Sequence, residues 1–193
     1  LATYWGENPW TEIRKKRIKE LLPNALKEAN VDVWFVICRE NNNDPIADHI
    51  GGENAGGTAA FLFYNDTEGF HSIVFSPSGE ATALDDLDIH DTVIPVERGK
   101  SSVSMAVDFI KEKKFEKIAV NSSTSNSTAD GLTYTQRINL ENLLGNQKSN
   151  LVSSTELVYE WLSIKLPEEV EILKRAAKLT AKWQIDAYKQ VVP

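Results

Sequence analysis

Apolar side chains follow the chain in two patterns, one with helical spacing and one in short unbroken runs. Between residues 11 and 29 they recur at helical spacing, which predicts a helix capped by Thr11 and kinked or split by Pro23. Residues 31–37 and 58–64 are continuous apolar runs rich in β-forming residues. Because neither run alternates with polar residues, both are predicted to be central strands covered on two sides.

Shorter elements follow, separated by turn residues. Turn-forming residues at 65–69 predict a hairpin into a strand at 70–75. Further short strands are predicted at residues 81–84, 92–95, 117–120 and 150–153. Helices are predicted at residues 101–114, at 133–145 with a Thr133/Gln136 capping box, at 155–164, and from Pro167 to the end of the chain. This order mixes a hairpin with strand–helix–strand units and predicts a mixed α/β sandwich.

The last predicted helix carries apolar residues on two faces. One face comprises Ile172, Ala176, Leu179, Trp183, Ala187 and Val191, and the other Val170, Leu173 and Ala177. A helix of this kind needs packing partners on more than one side. The sequence therefore predicts that this helix packs against something outside its own domain.

Composition and charge narrow the class of protein. The chain has 193 residues, of which 41% are hydrophobic and 25% charged, which is typical of a soluble globular protein with one domain as the default. A net charge of −7 opposes nucleic-acid binding, and no stretch approaches the ~20 apolar residues of a membrane span. One locally basic run is interpreted as a solvated helix face: Arg14, Lys15, Lys16, Arg17 and Lys19.

The sequence contains no complete catalytic or metal-binding motif. Cys38 is the single cysteine, which excludes an internal disulfide and a cysteine-rich zinc site. The glycine-rich segment 51–57 lacks the lysine of a phosphate loop, and the acidic segment 85–91 lacks the glycine of a calcium loop. His49, His71 and His90 have no second ligand at helical spacing, and no serine lies in a GxSxG turn.

Three segments carry a resemblance to a known family. They are the helix before residue 31 with the strand Val31-Asp32-Val33-Trp34-Phe35-Val36-Ile37, the segment from Arg39 to Gly52, and the segment Ile164-Lys165-Leu166-Pro167-Glu168-Glu169-Val170-Glu171-Ile172-Leu173-Lys174-Arg175-Ala176. Together they resemble the N-terminal domain of the creatinase, prolidase and Xaa-Pro aminopeptidase family, the pita-bread metallopeptidases. The third segment is similar to that family's entry into its catalytic domain.

The resemblance implies a fold and a division into domains. The expected fold is a mixed β-sheet flanked by helices, with ribonuclease H-like topology, ending in a long helix that enters a missing catalytic domain. Residues 1–163 would form the N-terminal domain, and residues 164–193 the junction and first catalytic-domain helix. The two divalent metal ions of the family, Mn, Co or Zn, would be held by the missing domain. This chain alone would then bind no cofactor and hydrolyse nothing.

The resemblance also implies a role for this domain in a homodimeric parent enzyme. The loop after the first strand would cover the active-site mouth of a neighbouring protomer and contact the peptide substrate. Arg39 or Asp44 would read a peptide terminus through charge-assisted hydrogen bonds. The candidate site residues are Arg39, Asn41, Asn43, Asp44 and His49.

Alternatives remain open at the level of the sequence. The chain is also compatible with a free-standing binding module of this fold, or with the N-terminal domain of a creatinase-like amidinohydrolase. The sequence begins with Leu1, which favours loss of an upstream segment, so the expected protein is soluble and either cytoplasmic or exported.

Overall fold

A six-stranded mixed sheet forms the centre of the computed structural model, which describes residues 8–191. The strands are β1 (Val33–Cys38), β2 (Ala59–Asp66), β3 (Gly69–Pro77), β4 (Thr92–Val96), β5 (Ile118–Val120) and β6 (Leu151–Ser153). They lie in the order β4-β3-β2-β1-β5-β6. The β1–β2 and β2–β3 pairs are antiparallel, and the other three pairs are parallel. The predicted mixed sheet and the hairpin between β2 and β3 are therefore confirmed.

Helices cover both faces of this sheet. They are α1 (Trp10–Lys16), α2 (Leu22–Glu28), α3 (Ala47–Ile50), α4 (Ala81–Asp85), α5 (Ser102–Lys113), α6 (Tyr134–Leu144), α7 (Thr155–Ser163) and α8 (Pro167–Tyr188). On one face Trp34 and Phe63 pack in a cluster with Leu26 of α2 and Trp161 of α7. The other face buries residues of β1 and β2 against α5 and α6. Strands β1 and β2 are thus covered on two sides, as their unbroken apolar runs predict.

The first helical segment changes its hydrogen-bonding pattern before Pro23. Residues Arg17–Leu21 form a π-helical turn between α1 and α2, in which the Leu22 N–H donates to the Arg17 carbonyl oxygen. Proline has no N–H and its ring crowds the carbonyl one turn earlier, which explains the predicted break at this point. The predicted cap at Thr11 is wrong, because the helix already begins at Trp10, whose N–H bonds the Asn8 side chain.

Two further predictions from the pattern are corrected. Residues 81–84 form part of helix α4 instead of a strand, with Ala81 and Leu84 buried three positions apart. The neighbouring strands β3 and β4 are parallel, so the chain must cross over the sheet between them, and α4 lies in that crossover. The basic run is not uniformly solvated, because Arg14 and Arg17 are buried, with partners Glu53 and Glu169.

Helix α8 leaves the domain. It begins with Pro167 in its first turn, as predicted, and ends at Tyr188, before the predicted end at the last residue of the chain. None of its residues is buried, and large apolar side chains along it are exposed, among them Leu173 and Trp183. No helix between residues 8 and 191 combines the length and apolar content needed to cross a bilayer. The segment upstream of Leu1, expected to have been removed, lies outside the described residues.

Candidate functional site

The candidate site lies where three parallel strands end. The carboxyl ends of β1, β5 and β6 meet at one edge of the sheet, and the chain continues there as Arg39, Asn121 and Ser154. In open α/β sheets this edge is where loops gather and ligands bind. The loop of residues 39–44, predicted from the resemblance to contact substrate, therefore starts at the edge of the sheet best suited to a functional loop.

A buried hydrogen-bond network holds this edge together. The Asn121 side-chain oxygen accepts from Trp34 Nε1 at 2.8 Å and from Ser154 Oγ at 2.6 Å. The Asn121 side-chain nitrogen donates to Asp44 Oδ1 at 2.8 Å, and the Ile46 N–H donates to the same oxygen at 3.1 Å. We call Trp34, Asp44, Asn121 and Ser154 the Asn121 network. It ties the end of the 39–44 loop to Trp34 near the start of β1 and to the residues that directly follow β5 and β6.

Asp44 faces the interior of the protein. Burial raises its pKa to about 6, against the lowering effect of the hydrogen bonds from Ile46 and Asn121. A Cβ at position 131 would overlap the Asp44 carboxyl group, so Gly131 is required for the two segments to approach. The predicted site residue Asp44 is thus placed as the anchor of the loop.

Among the other loop residues, Asn43 makes hydrogen bonds that hold the loop in shape, whereas Asn41 is exposed. The Asn43 side-chain oxygen accepts from the Arg39 N–H at 3.2 Å, and its nitrogen donates to the Gly52 carbonyl at 3.1 Å. Asn43 therefore closes the loop on itself and on the neighbouring segment. Asn41 is exposed in a left-handed conformation with φ of 62°. Arg39 is half-buried, which leaves part of its side chain at the surface.

His49 belongs to the helical layer. Its ring makes edge contacts with Trp10 at 5.5 Å and Trp161 at 6.0 Å between ring centroids. Burial lowers the pKa of His49, and the nearby Arg17 charge lowers it further. These contacts place His49 beside α1 and α7, so the structure groups Arg39, Asn43 and Asp44 together and gives His49 different partners.

The remaining candidate groups have structural partners. His90 Nε2 lies 2.8 Å from the Ile50 carbonyl oxygen and Nδ1 lies 2.6 Å from Ser72 Oγ, and burial lowers its pKa to about 4. In the glycine-rich segment the Gly57 N–H donates to the Glu80 carboxylate, which occupies the position an anion would need. Across residues 8–191 there is no group of three or more His, Cys, Asp or Glu side chains placed to hold a metal ion.

Asn121 is the site residue that sequence reasoning missed. It stands at the start of a serine-, threonine- and asparagine-rich segment, which is read as an ordinary loop. The available signal was its position directly after a buried parallel strand, where a side chain lies at the carboxyl edge of the sheet.

Comparison with known proteins identifies the fold. No known family profile matches the sequence, and no curated protein matches it. Among solved structures, the chain is similar to an X-Pro aminopeptidase from Thermotoga maritima, with 14% identity, a TM-score of 0.58, and coverage of 88% of this chain and 44% of that one. It is also similar to an Xaa-Pro dipeptidase from Bacillus anthracis, with 15% identity, a TM-score of 0.57, and coverage of 95% and 44%.

A third similar structure is an isolated domain. The N-terminal domain of cytoplasmic peptidase PepQ from Mycobacterium tuberculosis matches with 15% identity and a TM-score of 0.50, over 74% of this chain and 95% of that one. The fold is therefore that of the N-terminal domains of Xaa-Pro peptidases, as the resemblance in the sequence predicts. The chain spans less than half the length of the two longer proteins.

Proposed function

We propose that this chain is the non-catalytic N-terminal domain of a metal-dependent Xaa-Pro aminopeptidase or dipeptidase. Residues 1–163 would form that domain, and residues 164–193 the junction and the first helix of the catalytic domain. The domain would support dimerisation and gate access of the peptide to the active site of a neighbouring protomer.

One observation carries this proposal. The structural match to an Xaa-Pro dipeptidase covers 95% of this chain but only 44% of the dipeptidase. Helix α8 lies at the end of the matched chain, with no buried residue and with exposed apolar side chains. A large uncovered apolar face usually marks a missing packing partner. A catalytic domain that follows α8 along the chain would supply such a partner.

The proposal assigns hydrolysis to the rest of the parent enzyme and binding to this chain. Hydrolysis in the parent would use water activated by two divalent ions, Mn, Co or Zn, bound outside this chain. The described residues offer no matching ligand group. We propose that this chain carries no catalytic step and that its role is binding and positioning.

Within this role the 39–44 loop would contact the substrate. Arg39 can donate charge-assisted hydrogen bonds to a peptide carboxylate, and Asn41 is exposed in the same loop. Asn43 and Asp44 would hold the loop in shape through their contacts with Gly52 and Asn121. His49 would support the layer of helices behind the loop.

The first test is the mass of the native polypeptide in its source cells, detected with an antibody raised against this chain. We expect a band well above the mass of the 193-residue chain. A band at the mass of the chain itself would contradict the proposal and favour a free-standing binding module.

The second test is an activity assay with the same peptides on two proteins. The 193-residue chain should not cleave Xaa-Pro peptides with added Mn, Co or Zn, whereas the parent should. Cleavage by the short chain would refute the division of labour. A parent that hydrolyses a creatine-like amidine and leaves Xaa-Pro peptides intact would favour the creatinase-like alternative.

A further inference from the structure

A buried arginine connects the first helical segment to the start of α8. Arg17 lies in the π-helical turn, and its side chain is only 2% exposed. Its guanidinium donates to the backbone oxygens of Trp161 and Ile164, the latter at 3.0 Å, and to Glu169 Oε2 at 2.7 Å. These three acceptors lie at the end of α7, in the junction, and in the first turn of α8. One side chain therefore bridges both sides of the α7–α8 junction.

The contacts around Arg17 are reciprocal. Trp161 Nε1 donates to the Arg17 carbonyl oxygen at 2.9 Å, and the guanidinium lies 5.5 Å from the centroid of the Trp161 ring. Glu169 Oε2 also accepts from the Leu166 N–H at 2.8 Å, which caps the first turn of α8. Leu166 itself is buried. Because Glu169 is the acceptor that lies on α8, a change in the direction of α8 would break its bond with Arg17.

We infer that Arg17 and Glu169 set the direction in which α8 leaves the domain, with Arg17 as the positioning residue. Removing the partner of a buried charge is costly, so a tilt of α8 that removes Glu169 would leave the buried guanidinium without its carboxylate. The neighbouring pair Lys16–Glu168 also joins α1 to α8, but both side chains are more than 40% exposed. Exposed pairs of this kind contribute little. The restraint on α8 therefore comes from the Arg17–Glu169 pair, in which Arg17 is 2% exposed and Glu169 17%.

This inference deepens the proposed function, on which its meaning for the parent enzyme rests. If α8 is the first helix of the catalytic domain, Arg17 fixes how that domain is placed relative to the 39–44 loop. The geometric part can be tested on the 193-residue chain itself, because an N-terminal domain of the same fold forms a structure on its own.

The experiment measures the distance between α8 and the sheet domain by pulsed electron–electron double resonance. Spin labels are attached through Lys178→Cys on α8 and Glu112→Cys on α5, both at exposed positions. The unsubstituted 193-residue chain, whose only cysteine is the buried Cys38, serves as the labelling control. We expect a single narrow distance peak for the doubly labelled protein.

The variants separate the effect of the Arg17–Glu169 pair from that of the exposed Lys16–Glu168 pair. Glu169→Ala should abolish the single narrow distance peak. Glu169→Gln should largely keep the peak, because the amide oxygen still accepts from Arg17 and Leu166. The matched control Glu168→Ala should leave the peak unchanged. Arg17→Lys keeps the buried charge but cannot reach all three acceptors, so it should also lose the narrow peak.

An unchanged peak in Glu169→Ala and Arg17→Lys would overturn the inference, as would equal broadening in Glu168→Ala. Circular dichroism and the melting temperature of each variant distinguish loss of direction from loss of the fold. The result stands apart from the proposed function, because neither label reports on peptidase activity.

Discussion

Asn121 joins segments that are distant in the chain. Its amide satisfies Trp34, Ser154 and Asp44 in a region with no access to water. Removing Asn121 would take the acceptor from Trp34 Nε1 and Ser154 Oγ and would leave Asp44 Oδ1 with the Ile46 N–H alone. The cost of a buried group without a partner exceeds the value of an ordinary hydrogen bond.

We expect Asn121→Ala to lower the free energy of unfolding by about 3 kcal/mol. Urea denaturation followed by tryptophan fluorescence would measure the change. The matched control is Asn142→Ala on the exposed side of α6, which should change stability by less than about 0.5 kcal/mol. Equal effects of the two substitutions would show that the network adds nothing to stability.

Asp44 and His90 give opposite pH dependences. The pKa of Asp44 is raised from 3.8 to about 6 by burial, so the folded protein binds the extra proton in this range and Asp44 makes the protein less stable as pH rises through it. The pKa of His90 is lowered from 6.5 to about 4 by burial, so its contribution to stability is complete above pH 6.5 and is lost as pH falls toward 4.

The two contributions can be separated by substitution. Relative to the unsubstituted protein, Asp44→Asn should gain stability as pH rises from 4 to 6, by at most about 3 kcal/mol. His90→Gln should show the opposite trend, gaining relative stability as pH falls from 6.5 to 4. Urea denaturation at a series of pH values measures both differences. Curves parallel to that of the unsubstituted protein would contradict the assignment.

At the scale of the elements, α8 contrasts with α7. Leu173 and Trp183 are 55% and 56% exposed on α8, whereas Leu157 on α7 is fully buried in the core. Replacing Leu173 and Trp183 by Ser should therefore leave the melting temperature of the chain almost unchanged, while Leu157→Ser should lower it by many degrees. A large drop for the α8 variant would mean that α8 packs on its own domain.

Prediction from the sequence succeeded where one segment carries its own signal. The unbroken apolar runs identified β1 and β2, and the Thr133/Gln136 capping box gave the start of α6, with reciprocal bonds of 2.9 and 3.3 Å. Helix α4 was missed because five residues with three apolar positions fit a short strand as well as one helical turn.

Buried polar contacts between distant segments have no such local signal. Arg17 stands in a run of cations that favours a solvated face, and its acceptors lie more than 140 positions later. Asn121 and Asp44 are separated by 77 positions and become neighbours only when β1 and β5 pair. The sequence therefore predicted the sheet and the loop after β1, but neither the contact of Asp44 with Asn121 nor that of Arg17 with Glu169.

At the scale of the whole molecule, the proposed gating role predicts a kinetic phenotype for Arg39. In the full-length parent, Arg39→Ala should raise KM for Xaa-Pro peptides with a free C-terminal carboxylate by about tenfold, with little change in kcat, because a charge-assisted hydrogen bond to bound peptide is lost. Steady-state kinetics would measure this effect. Peptides with an amidated C-terminus should show no difference between the two proteins.

The control for this measurement is Arg98→Ala, a change at an exposed arginine in the turn after β4. It should leave both constants unchanged. If Arg39→Ala leaves the KM for peptides with a free C-terminal carboxylate unchanged, the proposal that the loop contacts the substrate through Arg39 is wrong.

The order of the strands also determines how the chain assembles during synthesis. Strands β1, β2 and β3 are consecutive and antiparallel, so this half of the sheet forms from neighbouring segments. The other edge of β1 pairs with β5, where Val33 meets Ile118, and must wait for a much later segment. On the ribosome the nascent chain therefore exposes the open edge of β1, a strand whose residues are all buried in the folded protein, until β5 emerges. This interval is when the chain most needs protection from aggregation.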